Sequence, residues 1–280
     1  MGHRLTEKKI QDYINHLHQE ERSQATLEKY NRDIRAFYAF LPGGKWLDKE
    51  TVLSYKERLV SRYAPASVNA MLAPVNGLLR FHNWHECRVK PLRIQREAFQ
   101  QPEKELTKQE YLRLIETAHE SGKEKVALLL QSIGATGVRA SEVRNITVES
   151  ARRGRAVIQL KGKVRTILLP RQLCQALLEY AKAQKIRSGE IFLTRNGRGM
   201  NRKEIWAAFK RLCAQAGVAA GKVFPHNLRH LFARTFYAVR RDIVKLADVL
   251  GHSSIETTRL YLISTWEEHA QYLDKMHLLL

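Results

Sequence analysis

Arginines, histidines and one tyrosine fall in four short stretches whose spacing could serve chemistry. Residues 134–143, Gly-Ala-Thr-Gly-Val-Arg-Ala-Ser-Glu-Val, set Arg139 just after a glycine turn. The segment Pro225-His226-Asn227-Leu228-Arg229-His230 follows a proline, and His226 and Arg229, three apart, share one face if the segment is helical. Leu250-Gly251-His252-Ser253-Ser254 puts a histidine at a turn, and Tyr261 comes nine residues later, after the polar helix start at 254–258. A guanidinium group grips phosphate with two bonds and stays charged. An imidazole moves protons, and a phenol can attack phosphorus and hold the bond. Taken singly, each residue also has an ordinary reading, such as a surface arginine beside a helix start. His226 and His230 fit His-x-x-x-His, a spacing that could ligate a metal. No Glu follows His226 and no Cys/His pair stands ready to complete a shell, so neither a metal nor any other cofactor is expected.

The charge balance says what such a set would meet. The 280 residues hold 48 Lys+Arg against 28 Asp+Glu, a formal +20. A field of that sign attracts polyanions, of which nucleic acid is the commonest. Both halves are basic, with 17 basic against 11 acidic residues before Pro102 and 31 against 17 from there on. A hydrophobic content of 44% supports real cores rather than a disordered basic tail. Cys87, Cys174 and Cys213 are far apart and form no Cys-x-x-Cys pair, so neither a zinc ribbon nor a disulfide framework is expected, and a reducing cytoplasm is. No apolar run approaches membrane-spanning length. Met1 to Thr6 fits a short myristoylation pattern, but Leu5-Thr6 reads better as the entry to a helix near Glu7.

The elements that must position these residues are mostly helices. Ile10, Tyr13, Ile14 and Leu17 follow the helical period, as do Leu27, Tyr30, Ile34, Phe37, Tyr38 and Leu41 up to Pro42-Gly43-Gly44. Asp48 is a plausible N-cap for a third helix carrying Val52, Leu53, Tyr55 and Leu59. A fourth starts near Pro65-Ala66-Ser67, and Pro74 should kink or split it. From Cys87 to Thr107 the pattern breaks, as a linker would. Thr107 with Glu110 then signals a capping box. Ala156-Val157-Ile158-Gln159-Leu160 and Val164 to Leu169 read as strands around Lys161-Gly162-Lys163, a tight hairpin. After Pro170 the chain is again mainly helical. The expected organisation is a helical domain over 1–92, a linker over 93–106 and a second domain over 107–280, mainly α with a small β-sheet.

Together, the ordered set Arg139, Lys161, His226, Arg229, His252 and Tyr261 resembles the tyrosine recombinase, or phage integrase, family, and most of all its compact Xer-type members. The Thr-Gly-Val-Arg-Ala-Ser-Glu box, the Lys-Gly hairpin, the Pro-His-x-Leu-Arg-His box, the Leu-Gly-His turn and the downstream tyrosine carry the likeness. A weaker one covers the first domain, where Ala25-Thr26-Leu27-Glu28-Lys29-Tyr30 and Ala66-Ser67-Val68-Asn69 are similar to helix starts of the family's core-binding domain. The resemblance implies a helical core-binding domain and a larger α+β catalytic domain clamped around DNA. It implies that strands are cut and rejoined through a 3′-phosphotyrosine, without metal or ATP. Tyr261 would be the nucleophile, His226 its base, and Arg139 and Arg229 the clamp on the phosphate oxygens. Lys161 would be the acid for the departing deoxyribose oxygen, His252 a donor to the phosphate, and Glu142 a carboxylate that orients its basic neighbours. Lys163, two positions on, could point the same way in a strand, though the family's Lys-Gly placement favours Lys161. Tyr237 and Tyr272 lack the family's spacing from the Leu-Gly-His turn and read as packing residues.

The same resemblance implies a tetramer on two DNA sites with short inverted repeats, either of one protein or with a related recombinase, exchanging strands through a Holliday junction. The sequence opens directly on the core-binding segment, which points to a simple system such as dimer resolution, inversion or integration of a small element. The apolar ending Leu278-Leu279-Leu280 is expected to dock on a neighbouring subunit, the alternative being its own core. Two other functions compete. A type IB topoisomerase shares the chemistry but needs no subunit-bridging tail, and a DNA-binding regulator has no use for a full catalytic set.

Overall fold

The computed structural model describes residues 2–94, 102–160, 163–252 and 254–262. The chain divides into two compact units, Met1–Arg96 and Glu97–Leu280. Their boundary falls inside the stretch 93–106 that the sequence sets aside as a linker. Both units are mainly helical, each with one small two-stranded sheet. Among the described residues no helix is long and apolar enough to cross a membrane.

The first unit is built from α1 (Glu7–Gln19), α2 (Gln24–Phe40), α3 (Lys49–Val60) and α4 (Pro65–Phe81), with a short antiparallel pair, β1 (His3–Arg4) and β2 (Trp46–Leu47). Thr6 caps α1, and Asp48 caps α3 by accepting from the Thr51 amide at 2.9 Å. Ile10, Leu17, Ile34, Phe37, Val52, Leu72 and Leu78 meet in the core.

Pro74 does not split α4, which runs unbroken from Pro65 to Phe81. Its missing N–H leaves the Ala70 carbonyl without its helical partner, and Lys29 of α2 donates to that carbonyl at 2.8 Å. The same ammonium bridges to the buried Asp33 at 2.6 Å. A neighbouring helix thus supplies the bond that proline removes.

The break in periodicity at Cys87 does not mark the end of the first unit. Cys87 and Val89 are buried in its core. Asn76 donates to the Val89 carbonyl at 2.8 Å and accepts from its amide at 3.0 Å. Asn69 does the same for Leu92, at 2.9 and 2.7 Å. The two asparagines are seven apart, so both project from one face of α4. Their side-chain amides satisfy an extended strand that has no sheet to join.

The second unit contains α5 (Lys108–Glu120), α6 (Glu124–Thr136), α7 (Val148–Arg153), β3 (Arg155–Leu160), β4 (Lys163–Leu168), α8 (Arg171–Ala183), α9 (Arg202–Cys213), α10 (Pro225–Arg240), α11 (Ile243–Leu250) and α12 (Ile255–Arg259). The Thr107–Glu110 capping box opens α5 as expected. Helix α6 is apolar nearly all round because it is the central rod, packed against α5, α8, α9 and α10. Strands β3 and β4 pair antiparallel from Arg155↔Leu168 to Leu160↔Lys163. Lys163 therefore belongs to the strand, while residues 161–162 of the expected hairpin turn lie outside the described residues. The short α7, capped by Thr147, has no counterpart in the sequence reading. All three cysteines are buried free thiols.

Candidate active site

Four loops and helix ends of the second unit converge. Helix α6 ends at Gly137, which has φ +65°. A side chain there would be strained in φ and would also press on Leu250 and Phe232, so the turn needs glycine. Two residues later Arg139 begins a 3-10 turn over Ala140–Asn145. Glu142 in that turn is buried, accepts from the Arg139 amide at 2.9 Å and bridges the Arg139 guanidinium at 2.9 Å. The box at 134–143 is thus a helix end, a glycine reversal and a carboxylate that holds the arginine from below.

Glu142 has a second cation. Arg165 of β4 bridges its other oxygen at 2.6 Å and also donates to the Leu250 carbonyl. The motif reading misses Arg165. The signal for it is the alternation in β4, which sets Arg165 on the same side as the buried Ile167. Burial pulls the Arg165 guanidinium below its ordinary value, while Glu142 opposes that shift.

Helix α10 contributes His226 and Arg229. Pro225 at its first turn needs no hydrogen-bond partner there. Arg229 is 2% exposed and is held by the carbonyl ends of two helices. It donates to Gly137 after α6 and, at 2.7 Å, to Leu250 at the end of α11. Helix carboxyl ends carry partial negative charge, so they suit a buried cation. Its Nε is buried without a partner. Burial, with the Arg139 charge adding, lowers Arg229 to about 10, and contact with the Tyr261 hydroxyl opposes the drop.

His252 follows the left-handed Gly251 that closes α11. Its Nε2 lies 2.9 Å from Arg229 and its Nδ1 lies 2.8 Å from the buried Thr258 hydroxyl on α12. The ring is therefore fixed at both nitrogens. Burial first, then the surrounding arginines, lower it to about 4.

Tyr261 is 5% exposed and packs with Leu246, Leu250 and Ala233. Three imidazoles surround its ring, with centroids at 5.6 Å for His226, 4.3 Å for His230 and 5.4 Å for His252. Partial burial and then the charges of Arg229, Arg202 and Arg139 hold His226 below its ordinary value. His226 is accordingly neutral near pH 7, as a proton acceptor must be. The two imidazole Nε2 atoms of His226 and His230 face each other at 3.2 Å.

The structure thus brings Arg139, Glu142, His226, Arg229, His252 and Tyr261 together and adds Arg165 and His230. Lys161 lies outside the described residues, as do Tyr272 and the tail from 263 on. Tyr237 packs, partly buried, beside the Tyr261 cluster.

Known protein families match both units. The Phage integrase family model matches residues 104–268, and the model "Phage integrase, N-terminal SAM-like domain" matches residues 10–86. The chain is 26% identical over 280 residues to "Tyrosine recombinase XerA" of Thermococcus kodakarensis, covering 96% of this chain and 95% of that protein. In fold it is similar to the XerH site-specific recombinase bound to difH substrate, with a TM-score of 0.68, 18% identity and coverage of 96% and 89%. It is also similar to a lambda integrase tetramer bound to a Holliday junction, with a TM-score of 0.72, 18% identity and coverage of 91% and 76%. The chain belongs to the phage integrase family, as a compact tyrosine recombinase of the Xer type.

Proposed function

We propose that the protein is a site-specific DNA recombinase that breaks and rejoins strands through a covalent bond between Tyr261 and a 3′-phosphate. The observation that carries this reading is the enclosure of the Tyr261 phenol by Arg229 and three imidazoles, two of them held far below their ordinary values. Tyr261 attacks phosphorus, His226 takes the phenolic proton, and the bond to the 5′ oxygen breaks. Lys161 gives that oxygen its proton. Arg139 and Arg229 draw charge from the non-bridging oxygens, and His252 donates to the same group. Arg139 is 40% exposed in its side chain and can meet an incoming phosphate, whereas Arg229 waits buried beneath it. Glu142 holds Arg139 in place and Arg165 behind it. Reversal with the 5′ hydroxyl of another strand rejoins the backbone and uses no ATP.

The partner is double-stranded DNA with short inverted-repeat sites. The active assembly is a tetramer, of this chain alone or with a related recombinase, passing through a Holliday junction. The net charge of +20 supports a DNA partner, and the family contains recombinases solved on DNA and on a Holliday junction. The reaction serves dimer resolution, inversion or integration of a mobile element, at the chromosome in the cytoplasm. Because Arg139, Arg229 and Lys161 supply the positive charge, cleavage and strand exchange should proceed in EDTA. Incubation with the DNA flanking its own coding sequence, with and without chelator, checks this. Full inhibition by EDTA, reversed by magnesium, contradicts the assignment.

A further inference from the structure

We infer that Glu105, His230 and His226 form a relay that sets which nitrogen of His226 carries hydrogen, making Glu105 and His230 positioning residues for the activation of Tyr261. The inference rests on the reading of His226 as the base.

His226, His230 and Arg234 occur every fourth residue and so lie along one face of α10. Glu105 stands opposite that face, in the segment that leads into α5. Its carboxylate is 15% exposed, 3.2 Å from Arg234 and 3.7 Å from His230 Nδ1. The segment is tied down twice. Arg234 donates to the Leu106 carbonyl at 2.9 Å, and Asn227 donates to the Lys104 carbonyl at 2.9 Å. Glu105 is therefore fixed against α10.

The tautomers follow from this placement. Two imidazole Nε2 atoms at 3.2 Å can share only one hydrogen, because two N–H groups or two lone pairs would repel. His230 Nδ1 is buried without a hydrogen-bond partner, and the Glu105 carboxylate lies 3.7 Å from it. A hydrogen on that nitrogen points at an anion, whereas a lone pair there would oppose it. His230 Nε2 is then the acceptor, and His226 Nε2–H is the donor. The remaining nitrogen of His226, Nδ1, keeps the lone pair that a base needs. When His226 takes the phenolic proton, its Nε2–H already rests on His230, and the Glu105 charge stands behind. A carboxylate that fixes the tautomer of a catalytic imidazole does the same work in hydrolase triads. Here a second imidazole is interposed. The charged and titratable groups that face the two rings are Arg139, Arg202, Arg229 and Arg234, which all oppose protonation, together with His252 and Tyr261. Glu105 is the only carboxylate among these described neighbours. Burial raises the Glu105 carboxyl and Arg234 counters that rise.

A bland role is available, in which Glu105 merely lashes the segment to Arg234. Long-range 1H–15N spectra of the full chain, labelled at histidine, separate the two. The expected spectrum at pH 7.5 has His230 protonated at Nδ1 and His226 at Nε2, and Glu105→Gln should shift that balance while Glu105→Asp preserves it. The wild-type spectrum needs no variant to fold, and the opposite pair of tautomers overturns the relay. In single-turnover covalent attachment to the DNA flanking its own coding sequence, Glu105→Gln should slow the step about 10–100-fold, as loss of an outer partner does elsewhere. It should leave DNA binding unchanged and cause no further loss in a His226→Ala background. Equal slowing in both backgrounds overturns the relay alone, with the base reading intact. Parent-rate attachment by His226→Ala overturns the base reading and the relay with it.

Discussion

The two units treat buried polar groups in opposite ways. In the first, Asp33 is the one buried charge among the described residues, and Lys29 and Arg32 both reach it. The carbonyl freed by Pro74 and the backbone of Val89 and Leu92 all find side-chain partners. Among the described residues of that unit only the Tyr55 hydroxyl is buried without one. The second unit gives Arg139 and Arg165 one shared carboxylate, Glu142, and rests Arg229 on the Gly137 and Leu250 carbonyls and His252. It leaves Arg165 Nε, Arg229 Nε, Arg234 Nε and His230 Nδ1 without hydrogen-bond partners. Buried donors are normally satisfied, so a concentration of exceptions marks a place built for something else. The first unit is finished as it stands. The second carries positive charge in excess of its own anions, which a phosphate diester can complete.

The largest break in that contrast should come from Glu142. Removing Glu142 leaves Arg165 largely buried without a carboxylate partner, which costs about 3–5 kcal/mol in comparable cases. Glu142→Ala should lower the melting temperature and abolish cleavage, because Arg139 loses its support. A variant as stable as the parent would mean that the guanidinium groups find other anions and that the excess is not real.

Acid should weaken the second unit next. His230 and His252 are held at about 3 and about 4, against an ordinary value of 6.5. Above about pH 6.5 the histidines are neutral in both the folded and the unfolded chain, and stability is full. As pH falls from there toward 4, the unfolded chain takes up protons that the folded one refuses, so stability declines. Melting of the full chain at pH 7.5 and pH 5 should show a lower temperature at pH 5. His252→Gln should reduce the difference. A transition that does not move with pH contradicts the placement of these rings against arginines.

The smallest effect belongs to the first unit. Asn69→Ala leaves the amide and carbonyl of Leu92 unpaired, at about 1–3 kcal/mol. The unfolding free energy from denaturant titration should fall by that amount, with the covalent step unchanged on DNA that is already bound. A loss of chemistry equal to that from Glu142→Ala would erase the distinction between the units.

What could be read from sequence divides along a similar line. Arg139, Glu142, His226, Arg229, His252 and Tyr261 were legible because each sits in a motif of fixed local spacing. Arg165 was not. Its partner, Glu142, is 23 residues away, and its neighbour Leu250 is 85 away. Nothing local in a strand announces a tertiary ion pair. The helices were legible from period and caps, as at Asp48 and Thr107. The periodicity breaks over 88–92 because that segment's hydrogen bonds go to Asn69 and Asn76 rather than to a periodic partner. Pro74 suggested a break because the compensating Lys29 lies on another helix. Glu105 was passed over for the same reason, and His230 was weighed only as a metal ligand, since the meaning of both lies in what they face.

The central claim is that the phenol of Tyr261 becomes the covalent link to DNA. Its most direct test is to trap the protein on DNA flanking its own coding sequence, digest the adduct and map the phosphorylated peptide. The account predicts a single modified residue, Tyr261, and no adduct from Tyr261→Phe, which should still bind the same DNA. A denaturation-stable adduct from Tyr261→Phe, or phosphate found on Tyr237 or Tyr272, would contradict it.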